Sequence, residues 1–322
     1  MLTAYLLVAV AFAFAFSIGA HYTGACVGMP YAAGALRLWP ALLLMAPLAL
    51  LGAIFASGGV EATVGHGILR SPTITLGVAL AIVASAFALT SGYNLLTIPT
   101  STIQILVFSV VGAGLAAGLS IDWSTIGTLL VLWAIAPFAA FGLGFAFTRA
   151  SDRWWRQAAR LPARGLASYG RLGLVAVGGA ASFAMGANDV SNASGSFVMT
   201  GLFGLTLAAA IGGVGLALGV ITWGKPLLQK VAFDVVRLDA RTATSAQLAQ
   251  SAVILVSVAF GLFTSMNQAL VGGMVGAGLA RGRSTVSWKT VRGILVGWAA
   301  GPASGAALGF ALTLGLLAIH VA

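Results

Sequence analysis

Polar side chains are scarce in the apolar runs of this 322-residue chain, and their densest group lies where two such runs meet. The group has the sequence Gly186-Ala-Asn188-Asp189-Val-Ser191-Asn192-Ala-Ser194-Gly195. Asparagine, aspartate and serine compete with the hydrogen bonds of a helix, so this pattern with a glycine at each end predicts a helix break. At membrane depth a broken helix is tolerated only where it is buried in protein or lines a cavity. The segment therefore predicts a binding site.

A segment near the N-terminus has glycines at matching positions but other polar residues: Gly19-Ala-His21-Tyr22-Thr23-Gly24-Ala25-Cys26-Val-Gly28. His21 stands where the first group has Asn188, and Tyr22 where it has Asp189. A second pair of polar segments is Pro99-Thr100-Ser101-Thr102-Ile-Gln104 and Thr264-Ser265-Met266-Asn267-Gln268. Each is predicted to begin a helix, where N–H groups and the positive end of the dipole attract anions.

The elements that position these segments are predicted to be membrane helices. Of all residues, 60% are hydrophobic and only 7% are charged, whereas a soluble domain carries roughly 25% charged residues. Ten apolar runs form candidate crossings, some of which could be re-entrant: about 2–18, 38–56, 73–91, 103–118, 124–147, 170–186, 197–222, 248–264, 266–280 and 291–317. The composition predicts one all-α polytopic membrane domain with broken or re-entrant helices at the midplane.

The net charge of +10 is a topology signal rather than a sign of nucleic-acid binding, because the basic residues are spread over short loops. If the arginine-rich loop 149–169 is cytoplasmic, alternation places Arg70 alone among the basic residues outside. Both termini are then outside, and the first apolar run is a retained helix because no positive n-region precedes it. The single cysteine, Cys26, excludes an internal disulfide.

The chain also repeats internally. Residues 123–137 match residues 288–302 in the positions of two tryptophans, a threonine and a proline, and residues 111–118 match 275–282. Each copy holds five apolar segments, and an odd number of crossings forces the second copy to enter the membrane from the opposite side. The predicted organisation is a first inverted repeat over 1–148, a basic cytoplasmic linker over 149–169 and a second inverted repeat over 170–322.

The segment FAMGANDVSNASG (183–195) resembles the Gly-Ala-Asn-Asp-Val-Ala-Asn signature of the PiT-type inorganic phosphate transporter family, which normally carries it once in each half. IPTSTIQ (98–104) and FTSMNQ (263–268) resemble that family's Pro-Val-Ser-Thr-Thr-His segments, and VGAGLA fits as well. The resemblance spans nearly all of the chain. It implies a secondary transporter that takes up phosphate with sodium ions or protons and has no other cofactor.

By this resemblance the substrate is bound by residues of all four segments: Asn188, Asp189, Asn192, Ser101, Thr102, Ser265, His21 and Thr23. The implied ligands of a coupling ion are Asp189, Asn188, Thr100 and Thr264. The chain departs from the family pattern where His21 and Tyr22 replace Asn and Asp, Ala25 replaces Asn, Met266 replaces Thr, and Gln104 and Gln268 replace His.

The first-half segment with His21 and Tyr22 is more similar to the corresponding signature in the sulfate-permease branch of the superfamily. Sulfate is therefore the second candidate substrate. An ionised aspartate accepts hydrogen bonds but cannot donate them. It therefore suits hydrogen phosphate, which donates one, and repels fully deprotonated sulfate. Asp189 therefore favours phosphate unless a cation neutralises it. Because neither Lys nor Arg lies in the four segments, an anion requires a co-transported cation, and sodium and a proton both remain open.

Simpler interpretations stand beside these. The role of Asp189 could be limited to capping a helix, and that of His21 to packing on Tyr22. Glu61 could either face solvent or act in gating or coupling. A passive anion channel is the alternative from another functional class. An enzyme is not predicted, because no nucleophile, base and orienting group occur together. The predicted partners are phosphate or sulfate, membrane lipids and a second copy of the chain in a homodimer, with no nucleic acid.

Overall fold

The computed structural model describes residues 1–96, 98, 100–158, 163–234, 239–282 and 288–319, without the side chains of 158–169, 230–238 and 288–297. The first half contains α1 (Leu2–His21), α2 (Thr23–Ala32), α3 (Leu38–Ala56), α4 (Gly58–Ala62), a π-helical turn (Thr63–Gly67), α5 (Leu76–Leu95), α6 (Thr102–Ala116) and α7 (Trp123–Ala158). The second half contains α8 (Ala163–Asp189), α9 (Ser191–Met199), α10 (Leu205–Trp223), α11 (Lys225–Asp234), α12 (Ala240–Ala259), α13 (Met266–Arg281) and α14 (Trp288–Ala318).

The described residues form an all-helical membrane protein, which confirms the predicted fold class. Eight helical stretches are long and apolar enough to cross a bilayer. The other two predicted runs are the short helices α6 and α13, of 15 and 16 residues. At 1.5 Å per residue each rises less than about 25 Å, short of a hydrocarbon core of about 30 Å. These two helices therefore need an extended segment at one end to cross.

The predicted start of one apolar run is wrong for a physical reason. The run predicted at 248–264 corresponds to α12, which begins eight residues earlier at Ala240 and ends at Ala259. Its first turns carry Thr242, Ser245 and Gln247, all of which are buried inside the protein. A hydropathy average treats these polar residues as loop, although their side chains face the protein and not lipid.

Two long helices are interrupted where the glycine-flanked segments lie. Tyr22 separates α1 from α2, and Val190 separates α8 from α9. Val190 keeps helical torsions, and its N–H still bonds to the Gly186 carbonyl at 3.3 Å. The interruption therefore exposes less backbone than the sequence predicts. Pro99 lies outside the described residues.

The two halves pack against each other through corresponding glycines. A Cβ added at Gly19 in α1 would lie 2.0 Å from the Leu216 carbonyl oxygen in α10. In the matching contact, a Cβ added at Gly186 in α8 would lie 1.8 Å from the Ala49 carbonyl oxygen in α3. The backbones approach so closely that only glycine fits at either position.

The remaining helices repeat the same exchange between halves. Helix α6 packs against α14, while α13 packs against α7. Helix α11 packs against α2, while α4 and the π-helical turn pack against α9. This reciprocal pattern is what two related halves would produce, and it brings both helix interruptions to the centre. The opposite orientation of the halves and the division at 149–169 stay predictions; α7 reaches Ala158 and α8 begins at Ala163 within that interval.

Candidate functional site

The centre of the site is the carboxyl group of Asp189, the last residue of α8. Asn188 Nδ2 donates to Asp189 Oδ2 at 2.9 Å, and Asn192 Nδ2 lies 3.3 Å from Asp189 Oδ1. All three side chains are buried, with at most 1% exposed. The three signature residues thus form one cluster, as their positions around the helix interruption predict.

Thr102, the first residue of α6, connects this cluster to the first half. Its hydroxyl oxygen accepts from Asn192 Nδ2 at 3.1 Å and lies 2.9 Å from the Tyr22 hydroxyl oxygen. Through Asn192, which also donates to Asp189, the Tyr22 and Thr102 hydroxyl groups adjoin the Asp189 carboxyl group. The carboxyl group is therefore surrounded by hydrogen-bond donors from both halves.

Asn188 also fixes the chain that leads into α13. Its Oδ1 atom accepts from the Thr264 N–H at 3.0 Å, and its Nδ2 atom donates to the Thr264 carbonyl at 2.8 Å. An amide that bonds both backbone groups of one residue holds that residue firmly. Asn188 is thus a positioning residue for Thr264 as well as a neighbour of Asp189.

His21 makes the corresponding contact in the first half. Its Nε2 atom lies 3.1 Å from the Thr100 carbonyl oxygen and 3.3 Å from the Thr100 nitrogen. Asn267 Nδ2 lies 3.3 Å from the same ring nitrogen and donates to the Thr100 carbonyl at 2.6 Å. The histidine therefore holds Thr100, two residues before α6 begins, as Asn188 holds Thr264, two residues before α13 begins.

Asn94 in α5, which the sequence analysis did not single out, orients the His21 ring. Asn94 Nδ2 donates to the Ser17 carbonyl at 2.9 Å, which turns its Oδ1 atom toward His21 Nδ1 at 2.5 Å. Because Oδ1 can only accept, Nδ1 must carry a hydrogen. Packing on Tyr22 also occurs, with ring centroids 5.1 Å apart. His21 thus acts first as a positioning residue.

The N-termini of α6 and α13 meet at the cluster. Ser101 and Ser265 cap these helices by accepting from the N–H groups of Gln104 and Gln268, each at 3.3 Å. The two glutamines touch across the interface between the halves, with Gln268 Nε2 donating to Gln104 Oε1 at 3.3 Å. Two positive helix ends therefore point toward the same buried region, which favours negative charge there.

Several buried oxygen atoms of the polar segments have no hydrogen-bond partner within the described residues: Thr100 Oγ1, Thr264 Oγ1, Asn192 Oδ1 and Gln268 Oε1. Carboxylate, amide and hydroxyl oxygens are the ligands that hard cations prefer. No lysine or arginine is among the buried residues of the described part. The arrangement can therefore accept a cation at its oxygen atoms and an anion at its N–H groups and helix ends.

Two predicted residues behave differently from the expectation. The Thr23 hydroxyl bonds to the carbonyls of Gly224 at 2.7 Å and Ala20 at 3.0 Å, so it turns toward the start of α11 and not toward Asp189. Glu61 is fully buried and contacts Ser194, so the solvent-facing interpretation of Glu61 is wrong.

Comparison with known proteins gives the family. A model described as the phosphate transporter family matches residues 18–166 and 159–309, which together are most of the chain. The chain belongs to the phosphate transporter family.

The relatives are named for two different substrates, sulfate and phosphate. The sulfate permease CysP of Bacillus subtilis is 28% identical, with 86% of this chain and 78% of that protein covered. A protein named as a probable low-affinity inorganic phosphate transporter in Mycobacterium tuberculosis is 29% identical, with 91% of this chain and 72% of that protein covered. A solved structure titled the sodium-dependent phosphate transporter matches with a TM-score of 0.89, covering 99% of this chain and 100% of that chain at 21% identity. This last likeness shows a shared fold.

Proposed function

We propose that this protein is a secondary transporter that imports inorganic phosphate across the cytoplasmic membrane together with sodium ions. The observation that carries the proposal is the buried Asp189 carboxyl group, which lies among amide and hydroxyl donors, with no buried lysine or arginine among the described residues. Hydrogen phosphate can donate a hydrogen bond to this carboxylate while its other oxygens accept from the surrounding donors. The substrate's own proton thereby offsets part of the repulsion between the two negative groups.

Sodium is the coupling ion in this proposal because the site offers hard oxygen ligands. Asp189, Asn188, Thr264 and, from the other half, Thr100 would supply them. A cation next to Asp189 lowers the cost of placing an anion there, so each ion increases the affinity for the other. A solved structure of the same fold is named as a sodium-dependent phosphate transporter, which agrees with this choice.

The proposed transport cycle is alternating access by two inverted repeats, with both termini outside the cytoplasm. The two ends of α7 support this orientation. Arg70 pairs with Asp122 at 3.2 Å where α7 begins, whereas Arg281 pairs with Asp152 at 2.5 Å near its other end. The second end carries most of the basic residues, as a cytoplasmic face should.

Sulfate is the second candidate, and a specific observation favours it. The chain is similar to a sulfate permease over 86% of its length, and its first-half segment has His21 and Tyr22 in place of the family's Asn and Asp. Fully deprotonated sulfate has no hydrogen to donate to Asp189. Sulfate transport would therefore require a cation or proton on that carboxylate throughout binding.

The test is uptake of labelled phosphate and labelled sulfate into proteoliposomes, with a sodium gradient imposed or absent. The proposal expects saturable phosphate uptake, with an internal phosphate concentration that exceeds the external one only when a sodium gradient is directed inward. An excess of unlabelled sulfate should inhibit this uptake weakly. Empty liposomes serve as the control. Saturable sulfate uptake without phosphate uptake would contradict the substrate assignment. Uptake that stops when the internal and external anion concentrations are equal, with or without the sodium gradient, would indicate a passive channel.

A further inference from the structure

Glu61 is a buried carboxyl group outside the site around Asp189. It lies on α4, a five-residue helix that packs against α9, and its side chain is 0% exposed. One carboxyl oxygen, Oε1, contacts the hydroxyl of Ser194. The other, Oε2, has no hydrogen-bond partner within the described residues. A charged carboxylate with one hydrogen bond in a membrane interior is costly.

The hydrogens available at Ser194 point to the protonation state of Glu61. The Ser194 oxygen lies 2.7 Å from the Val190 carbonyl oxygen while it also contacts Glu61 Oε1. A serine hydroxyl has a single hydrogen and cannot donate to both neighbours. If Glu61 carries a proton, Glu61 donates to Ser194 and Ser194 donates to Val190, so that all three oxygens are satisfied. The geometry therefore favours the carboxylic acid.

Among the described residues, no nearby charge compensates an ionised Glu61. Helix α4 packs against α3, the π-helical turn, α9, α10 and α12. Among the described side chains of these elements, the titratable or charged groups are His66 of the π-helical turn and Arg241 of α12. Both are exposed, and Arg241 lies at the N-terminal end of α12, whereas α4 meets the opposite end near Gly261.

The other half shows that packing alone does not require a carboxyl group here. Helices α2 and α11 form the junction that corresponds to α9 and α4. The positions that correspond to Ser194 and Glu61 are Val27 and Leu228, and both are fully buried. The same junction is thus built once from apolar side chains and once with an acid and a hydroxyl. The acid therefore supplies chemistry that packing at this junction does not require.

Glu61 is also mechanically connected to the interrupted helix. A Cβ added at Gly195 of α9 would lie 2.4 Å from Val64 Cγ1, and one added at Gly65 would lie 2.4 Å from Val198 Cγ1. The π-helical turn that holds Val64 and Gly65 directly follows α4, and π-helical turns occur frequently at functional sites. Movement of α9 would therefore disturb the contact between Ser194 and Glu61.

We propose that Glu61 is a proton-binding site of the transport cycle, separate from the anion site. The carboxylic acid forms while α9 lies against α4, and the Oε1–H bond breaks when they separate, leaving a carboxylate and releasing the proton to water. A proton is favoured over a metal cation because Ser194 alone supplies a contacting side-chain oxygen within the described residues. The coupling part of this inference rests on the proposed transport function, but proton binding does not.

Proton binding is tested without transport, by infrared difference spectra of the purified full chain in lipid between acidic and alkaline pH. We expect a carboxylic acid carbonyl band that Glu61→Gln removes and that the matched extramembrane change Asp122→Asn leaves intact. Ser194→Ala should shift the band without removing it, because that variant loses the hydrogen-bond partner and keeps the acid. A band unchanged in Glu61→Gln would overturn the inference.

Coupling is tested in proteoliposomes by imposing an inward proton gradient at constant sodium. Wild-type anion uptake should accelerate, whereas Glu61→Gln should retain uptake and lose the acceleration. An equal response of both proteins would overturn the coupling role. Absence of phosphate and sulfate uptake in every protein would instead contradict the proposed function, and the infrared result would still decide whether Glu61 binds a proton.

Discussion

The two interrupted helices occupy corresponding places in the two halves but have different chemistry. At the interruption between α8 and α9 lie Asp189 and, through Ser194, Glu61, which are the two buried acidic residues of the described part. At the interruption between α1 and α2 lie His21 and Tyr22, which hold Thr100 and Thr102. One interruption thus carries the acidic groups, and the other positions the chain around them.

The backbone framework does not share this asymmetry. The close approach of Gly19 to Leu216 and that of Gly186 to Ala49 are alike, and Asn188 and His21 hold equivalent residues at the starts of α13 and α6. Side chains can therefore change in one half while the shared packing keeps both halves in place. Substitutions at corresponding positions separate these two contributions.

The largest expected effect is on transport by Asp189→Asn. Asparagine keeps the shape but loses the charge, so the initial rate of phosphate uptake should fall roughly 100-fold, as expected when a charged hydrogen bond of about 1.5–3 kcal/mol is lost. Tyr22→Phe, the corresponding change in the first half, should lower the rate by less than about tenfold, since a neutral hydrogen bond contributes about 1 kcal/mol. Comparable losses in both variants would show that the halves contribute equally.

Next in size are the effects of Gly186→Ala and Gly19→Ala on stability. Each added methyl group meets a carbonyl oxygen within about 2 Å, so each variant should be destabilised by about 1–3 kcal/mol. Thermal unfolding followed by size-exclusion chromatography measures this effect. Gly127→Ala is the matched control, because a Cβ there meets nothing within 4 Å. Destabilisation confined to one half would contradict the shared framework.

A smaller effect is expected from the contact between His21 and Asn94. His21→Ala leaves Asn94 Oδ1 and the Thr100 N–H without their partner, which should cost about 1–3 kcal/mol and be partly offset if water enters the gap. The double variant with Asn94→Ala should be less destabilised than the sum of the single variants, because both remove one contact. Strict additivity of the unfolding free energies would show that the pair is not coupled.

The smallest effect is expected at the membrane surface, where Asp122→Asn removes the ion pair with Arg70. Hydrogen bonds from Ser124 and from the Arg70 guanidinium hold the pKa of Asp122 well below its usual range. A lowered pKa stabilises the folded state above the pKa of the unfolded chain, about 4, and this stabilisation is lost as the pH falls through the folded-state pKa. The unfolding temperatures of variant and wild type should therefore differ slightly at pH 7 and converge in strong acid. A difference that grew with acidity would reverse the assignment.

Much of the scaffold and the centre of the site follow from the sequence. Long apolar runs and the signature around Asp189 predict a helical membrane protein of this family, and the structure places Asn188, Asp189 and Asn192 together. Asn94 could not be found this way, because it is a single polar residue in an apolar helix with a partner 73 positions away.

The directions in which side chains point could likewise not be predicted from the sequence. Thr23 stands inside a polar segment but turns toward Gly224, because its hydroxyl bonds to carbonyl groups at a helix junction. Glu61 follows two glycines in a short helix, a pattern typical of an exposed loop, and only the packing of α4 on α9 buries it. In both cases tertiary packing and not local sequence decides the environment.

The most direct test of the central claim is equilibrium binding of labelled phosphate to the purified protein, with sodium or potassium as the only metal cation at one pH. If Asp189 links anion and cation, sodium should increase the affinity of the wild type at least about tenfold, a coupling of about 1.4 kcal/mol, and Asp189→Asn should remove this increase. Equal phosphate affinity in the two cations, or an unchanged sodium effect in Asp189→Asn, would contradict the account.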